Sequence, residues 1–301
     1  MELRYWENPH QKADFNGNLS ELFDTLNGKA LSYNNLIDID AAMHLIQEFN
    51  KNTPTAAIFK HTNPCWIATG KDINDAYNRA LACDSKSAFG WIYILNQEVD
   101  LDTAESIWDL FCEVIIAPSY TPEALEKLKH KKKNRRILRQ KTDLIVKKQV
   151  RSILNGTVSQ DYDNSIEDRN NFEVVTKREP NKQQLSDMEF GIKAVKHLKS
   201  NAIAIIKNGQ LIWMGCWQVS RIDALEQAIK KAEDNENFDL NGAVMVSDAF
   251  FPFDDCVEAA AEVWISAIVQ PGGSMRDKNS IKAANDSNIA MIMTWVRHFK
   301  H

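Results

Sequence analysis

The sequence predicts an α/β fold, and three observations carry that expectation. Short apolar runs of strand length recur along the chain: "TAAIFK" (55–60), "GWIYIL" (90–95), "EVIIAP" (113–118), "AVMVSD" (243–248), "ISAIVQ" (265–270) and "IAMIMT" (289–294). Amphipathic stretches with helical spacing separate them. A polar, turn-rich connector from about 139 to 171 divides the pattern into two halves of similar size. A sheet covered by helices requires this alternation, because each strand must bury its side chains against a neighbouring layer.

In the first half, "IDIDAAMHLIQEF" (37–49) sets Ile39, Met43, Ile46 and Phe49 at helical spacing, with Asp38 or Asp40 as N-cap. The strand 55–60 ends in Lys60 and His61, and "NPCW" after it reads as a turn carrying Trp66. Helices are expected at 72–83, 102–111 and 122–130, the last with Pro122 in its first turn, where a missing N–H costs nothing. In the second half, 185–199 is a helix, 201–216 a hairpin around Asn208-Gly209, and 224–232 a helix. No internal sequence repeat is clear. The expected units are 1–165 and 166–301.

Composition narrows the function classes. The chain has 301 residues, 44% of them hydrophobic, enough for one large or two medium cores. Its 36 basic and 41 acidic residues leave a net charge of −5, which gives nucleic acid no electrostatic footprint. No apolar run approaches the roughly 20 residues of a membrane helix, and the polar start "MELRYWENPHQ" is not a signal peptide. Cys65, Cys83, Cys112, Cys216 and Cys256 are scattered without a CxxC, so neither a disulfide framework nor a zinc site is expected, and a reducing cytoplasm fits.

Chemistry-bearing residues gather at strand exits, where ligands of open α/β sheets collect. His61 can act as acid or base near neutral pH, and Lys60 can stabilise developing negative charge. An exposed strand end would also look like this, and the two residues alone leave both readings open. "SDAFFPFDD" (247–255) offers an aromatic wall, "QPGGSMRD" (270–277) an anion cradle at a helix start, and "TWVRHFKH" (294–301) a cationic tail. "LRYWENPHQ" (3–11) places Arg4 and Tyr5 before a turn. The run "KHKKKNRR" (129–136) reads as a solvated helix end or a polyanion patch, the first favoured by the helix dipole. Together these suggest a site for a phosphorylated, ring-bearing substrate.

With "LRYWENPHQ", "LSYNNLIDIDAA", "KHTNPC", "DSKSAFG", "EVIIAPSYTPEAL", "VVTKREP", "KSNAIAI", "QVSRIDA", "SDAFFPFDD", "IVQPGGSMRD" and "RHFKH" in order, the whole chain resembles the transformylase part of the bifunctional purine-synthesis family. That part is 5-aminoimidazole-4-carboxamide ribonucleotide (AICAR) formyltransferase. The resemblance implies two cytidine-deaminase-like α/β/α units in one chain, without zinc. It implies formyl transfer from 10-formyltetrahydrofolate to the 5-amino group of AICAR, giving FAICAR, by a homodimer with active sites at the subunit interface. It assigns proton abstraction to His61, oxyanion stabilisation to Lys60, and a place near the reacting groups to Asn201. Arg4, Tyr5, Ser119 and Arg297 match nucleotide-binding positions. Arg221, Phe250 and Asp255 match folate or nucleotide contacts, and Ser274 and Met275 fall in the folate-side loop. The cyclohydrolase region that precedes the transformylase in the bifunctional family has no counterpart in these residues, so no IMP cyclohydrolase activity is expected. A non-catalytic binding protein of the same fold is the alternative. A zinc deaminase, suggested by "NPC", is set aside because no second close cysteine and no His-x-Glu accompany Cys65.

One departure from the family repeats. Trp6, Trp66, Trp91, Trp213, Trp217, Trp264 and Trp295 stand where the family carries glycine; of the 8 tryptophans, only Trp108 does not. Gly is correspondingly scarce, 11 of 301 against the roughly 7% of ordinary proteins. The simplest reading is a genetic code in which UGA specifies glycine. On that reading the chain as written is expected to be strained, since turn glycines often need φ > 0 or close backbone approach.

Overall fold

The computed structural model describes residues 1–83, 90–235 and 238–301. The motif at 84–90 therefore lies, up to its final glycine, outside the described residues. The first half comprises β1 (Phe23–Asn27), α1 (Tyr33–Ile46), β2 (Thr55–Lys60), β3 (Asn63–Thr69), α2 (Ile73–Ala82), β4 (Trp91–Leu95), α3 (Leu101–Trp108), β5 (Cys112–Ala117), α4 (Pro122–Lys129) and β6 (Arg136–Gln140). A hairpin of β7 (Lys148–Ile153) and β8 (Gly156–Asp161) follows. The second half comprises β9 (Glu173–Val174), α5 (Lys182–Val195), β10 (Ile203–Lys207), β11 (Gln210–Gly215), α6 (Arg221–Glu233), β12 (Val244–Ser247), α7 (Asp255–Glu262), β13 (Ala267–Gln270), α8 (Asp277–Asp286) and β14 (Ala290–Met293). From α1 to β6 and from α5 to β14 the order of helices and strands is the same. The repeat is one of hydropathy and length, which side chains can satisfy without sharing identity.

One sheet runs through both halves, in the order β1-β6-β5-β4-β2-β3-β11-β10-β12-β13-β14-β9. Its seam is the antiparallel contact of β3 with β11, Ala68 opposite Gln210, with the Thr69 N–H donating to the Gly209 carbonyl at 2.9 Å. The two halves thus run in opposite directions. At the edge where β2 and β11 end, β4, β5 and β6 begin, whereas β12, β13 and β14 terminate.

Helices α1 and α5 bury their apolar faces in one core that spans the seam, with Phe49 and Phe190 at a 5.4 Å ring separation. On the other face α2, α3 and α4 cover the first half, and α6, α7 and α8 the second, over two separate clusters. Fully burying each large apolar side chain stabilises by about 1.5–3 kcal/mol, so the continuous core locks the halves together more firmly than the single seam contact.

Several expectations need correction. Helix α1 starts at Tyr33, because Ser32 accepts from the Asn35 N–H while the Asn35 side chain accepts from the Ser32 N–H. Asp38 is not its cap; its carboxylate instead accepts from the Thr62 N–H at 2.6 Å. "NPCWIAT" is strand β3, and Trp66 is a core residue stacked on Trp91, centroids 4.0 Å apart. The indole N–H groups of both are buried without a hydrogen-bond partner. The connector contains the β7–β8 hairpin, exposed along both strands and, among the described residues, paired with no other strand. The Asn208-Gly209 hairpin is present, with φ +54° and +68°. Trp217, Trp264 and Trp295 adopt φ of +60°, +63° and +60°, a region where a bulky side chain is an outlier. The other four tryptophans at family glycine positions do not.

Candidate active site

Two cavities lie at the sheet edge where β2 and β11 end. The first, about 640 Å³, is lined by Tyr5, Asp38, Lys60, His61, Glu113 and Arg136 among others, with Lys131, Lys132 and Lys133 also lining it. His61 and Thr62 form the β2–β3 turn with φ +53° and +63°. Hairpin turns of this twist normally take Asn-Gly, and a β-branched threonine there is strained. What holds it is local: the Asp38 bond to the Thr62 N–H, and Asn63 donating to the His61 carbonyl at 3.1 Å. Burial raises Asp38 above the usual carboxylate range, opposed by backbone bonds from Thr62 and His61 and by the charge of the nearby His61. The exposed His61 ring is thereby aimed from a fixed backbone. The Lys60 ammonium lies 5.0 Å from the Trp91 ring centroid. Cys65, which follows Pro64 in β3, is pushed up to about 12 by burial and stays a thiol.

The second cavity, about 350 Å³, is lined by Asn201, Arg221, Phe250, Phe253, Asp255 and Phe299 among others. Arg221 is buried and pairs with the buried Asp248 carboxylate. It also donates to Ser247 Oγ at 2.9 Å and Asn201 Oδ1 at 3.0 Å. Asn201 in turn donates to the carbonyls of Gln218 and Val219 at 3.0 and 3.2 Å. With its oxygen held by a cation and its nitrogen by two carbonyls, the Asn201 amide has a single orientation.

The structure separates the residues expected at the site. Tyr5, Lys60 and His61 share the first cavity, with Arg4 exposed beside Tyr5; Asn201, Arg221, Phe250 and Asp255 share the second. Arg297 is exposed and packs on Phe299, guanidinium 4.4 Å from the ring centroid. Ser274 and Met275 stand on the loop after β13, outside the cavity lining, next to Arg276, which stacks on Phe253 at 4.6 Å. Ser119 is not brought to this edge. It follows the end of β5, on the opposite side of the sheet, and donates to Glu98 at 2.8 Å. The glycine loop is not an open anion cradle either. The Gly272 and Gly273 N–H groups already donate to Gln270 and Asp277 side chains at 3.2 and 2.8 Å.

Sequence reasoning missed Asn35, Glu113 and Arg136. The Asn35 amide donates to Glu113 at 2.9 Å, and Arg136 lies 3.8 Å from the same carboxylate. Glu113 opens an apolar strand, and the polar residue at the start of "EVIIAP" was the available signal. Among the described residues no group of three or more His, Cys, Asp or Glu side chains could hold a metal ion, and no helix is long and apolar enough to cross a membrane.

With the fold and the two cavities described, the chain's sequence relatives bear on what the arrangement is for. Residues 1–231 match the model of the AICARFT/IMPCHase bienzyme family, and the chain belongs to it. It is 49% identical over 300 residues to the bifunctional purine biosynthesis protein PurH of Bacteroides thetaiotaomicron, covering 100% of this chain and 58% of that protein. The corresponding PurH of Leuconostoc mesenteroides is 47% identical over 307 residues, and that of Chlorobium phaeobacteroides 44% over 311. In both, this chain is covered completely, whereas it spans only 60% and 59% of those proteins.

Proposed function

We propose that the chain is the AICAR formyltransferase of purine biosynthesis, moving a formyl group from 10-formyltetrahydrofolate to the 5-amino group of AICAR. The observation that carries the reading is His61, exposed at the mouth of a cation-rich cavity on a strained, side-chain-braced turn next to Lys60. The aromatic amine is a weak nucleophile, its lone pair delocalised into the imidazole and carboxamide. As nitrogen attacks the formyl carbon, His61 takes its proton. Lys60 stabilises the oxyanion of the tetrahedral intermediate, and Asn201 stands near the reacting groups. Its collapse breaks the bond to the folate N10, and the proton held by His61 returns to the leaving tetrahydrofolate. Tyr5 and the lysines of the first cavity suit the phosphorylated nucleotide; the aromatic wall of Phe250, Phe253 and Phe299 suits the flat pterin. No step calls for a metal.

The division of the machinery between two cavities supports a homodimer with composite sites at the interface. The shared order of elements in the two halves supports two cytidine-deaminase-like units, divided near 165/166, and five scattered cysteines without a CxxC fit a reducing cytoplasm. The test is release of tetrahydrofolate, followed by absorbance, when the purified chain receives AICAR and 10-formyltetrahydrofolate. No AICAR-dependent release would overturn the reading.

A further inference from the structure

Residues 294–301 follow β14 and run back along the site edge as a strap. Thr294 and Trp295 donate backbone N–H groups to Gln270 and Pro271 carbonyls at 3.0 and 2.9 Å. The His298 N–H donates to the Asp248 carbonyl at 3.0 Å. Ser200 and Lys300 close the strap, the Ser200 N–H to the Lys300 carbonyl at 2.9 Å and the Lys300 N–H to Ser200 Oγ at 3.0 Å.

One side chain pins the strap. His298 is 3% exposed, with Nδ1 2.6 Å from Asp163 and Nε2 2.7 Å from Glu167. Both carboxylates come from the segment between β8 and β9. Two carboxylates accept only, so both ring nitrogens must donate, and the ring is an imidazolium. Burial alone would lower its pKa; the two carboxylates outweigh that and raise it to about 9. Other charges near this clamp are the Lys196 ammonium just past α5, bonded to Glu48 and the Ser165 carbonyl, the Lys300 ammonium of the strap, which acts on Asp163, and Asp248 just past β12, engaged with Arg221. Asp248 also accepts from Ser200 Oγ at 2.5 Å and the Ala202 N–H at 3.2 Å. A continuous set of contacts therefore runs from the clamp through Asp248 and Arg221 to the Asn201 amide.

We infer that His298 is a positioning residue of the transfer site: gripped by Asp163 and Glu167, it fixes the strap that presents Phe299, with Arg297 packed on its ring, beside Asn201. The inference rests on the formyltransferase reading for its kinetic consequence. It assigns a function to the connector, none of whose residues lines the second cavity, and explains why an otherwise exposed C-terminal segment is ordered against the fold.

The test compares the unaltered chain with His298→Gln and Asp163→Asn, by steady-state kinetics across pH and by hydrogen exchange of the peptide 294–301. His298→Gln is expected to lose roughly 10- to 100-fold in kcat/KM, as a misplaced positioning group does, with faster exchange in the strap. In the unaltered chain, protection of the strap holds at neutral pH and is lost as pH rises through about 9. Asp163→Asn, which keeps an acceptor but removes a charge, moves that loss and the falling limb of activity towards 6.5. If His298→Gln does not fold, Asp163→Asn decides by the same readouts. Kinetics and strap exchange within about twofold of the unaltered chain, with no shift of the alkaline limb, overturn the inference. Should the unaltered chain transfer no formyl group, the functional reading fails by itself, and strap exchange still decides whether His298 is the pin.

Discussion

Replacing Trp264 with glycine is expected to stabilise the chain. Trp264 sits between α7 and β13 at φ +63°, with its side chain 73% exposed. The left-handed region costs an L-residue roughly 1–2 kcal/mol. Glycine removes that cost but loses about 0.4–1 kcal/mol to the greater freedom of the unfolded chain. Little apolar contact is given up at such exposure, so the net gain is about 0.5–1 kcal/mol, or roughly 1–4 °C in midpoint. Trp217 shares the strain, but the Lys199 ammonium lies 4.4 Å from its ring centroid. That contact, worth about 0.5–1 kcal/mol, brings Trp217→Gly close to neutral. Trp295 donates its indole N–H to Glu173 at 2.8 Å, and a net loss of about 0.5–1.5 kcal/mol makes Trp295→Gly neutral or slightly destabilising. Trp66 and Trp91 lie outside the left-handed region and fill the core, so glycine at either should cost about 3–5 kcal/mol in this chain. The expected order of midpoints, by thermal or urea unfolding, is Trp264→Gly, then Trp217→Gly, then Trp295→Gly, with Trp66→Gly far below. A Trp264→Gly midpoint below that of the unaltered chain would refute the strain argument. Peptide mass spectrometry of the native protein tests the recoding reading separately: glycine is expected at these positions, and tryptophan at residues 66 and 217 sinks it.

His61→Ala is expected to lower formyl transfer by roughly 10²–10⁴-fold, the usual range for a lost general base, while AICAR binding stays measurable by calorimetry; near-normal turnover removes His61 from the role. Arg221→Ala leaves the buried Asp248 carboxylate unpaired and should cost about 3–5 kcal/mol in denaturant unfolding, so a loss under about 1 kcal/mol contradicts the buried-pair account. Burial lowers His197 from 6.5 to about 4 despite the Glu48 bond. Because the unfolded chain takes up the proton first, the stability contributed by neutral His197 is complete above about 6.5 and is lost as pH falls through about 4. The shift corresponds to about 3 kcal/mol at most, and His197→Gln should flatten the unfolding free energy between those pH values; an unchanged acid slope excludes it as the source.

The strands that end in chemistry were readable because an abrupt change from apolar to charged residues marks where a buried strand leaves the core. Lys60-His61 and "SDAFFPFDD" show that change in the sequence itself. Strand direction was not readable. Ser119 follows a strand end, as a ligand contact in a parallel sheet should, but β5 runs antiparallel to β2 and carries it to the far edge. Glu113, at the start of the same strand, arrives at the cavity instead. Capping moved α1 four residues upstream of the expected start, since Ser32 and Asn35 satisfy each other and the apolar spacing alone cannot show it. The β7–β8 hairpin escaped notice because it has no buried face and hence no alternation. The His298 clamp joins residues from the connector and the C-terminus, a pairing that only tertiary structure supplies.

The seam between β3 and β11 has a consequence for synthesis. Strand β3 is complete at Thr69, but its partner begins only at Gln210, so at about 5–20 residues per second β3 waits on the order of ten seconds for β11. During that interval the nascent first half presents an unpaired, apolar edge at what becomes the middle of the sheet, the kind of surface that seeds aggregation. The second half acts, in that sense, as the protective cover of the first. A chain halted in the connector is expected to need a chaperone or a second nascent copy at that edge, which ribosome-stalled chains released by protease and sized by sedimentation would reveal.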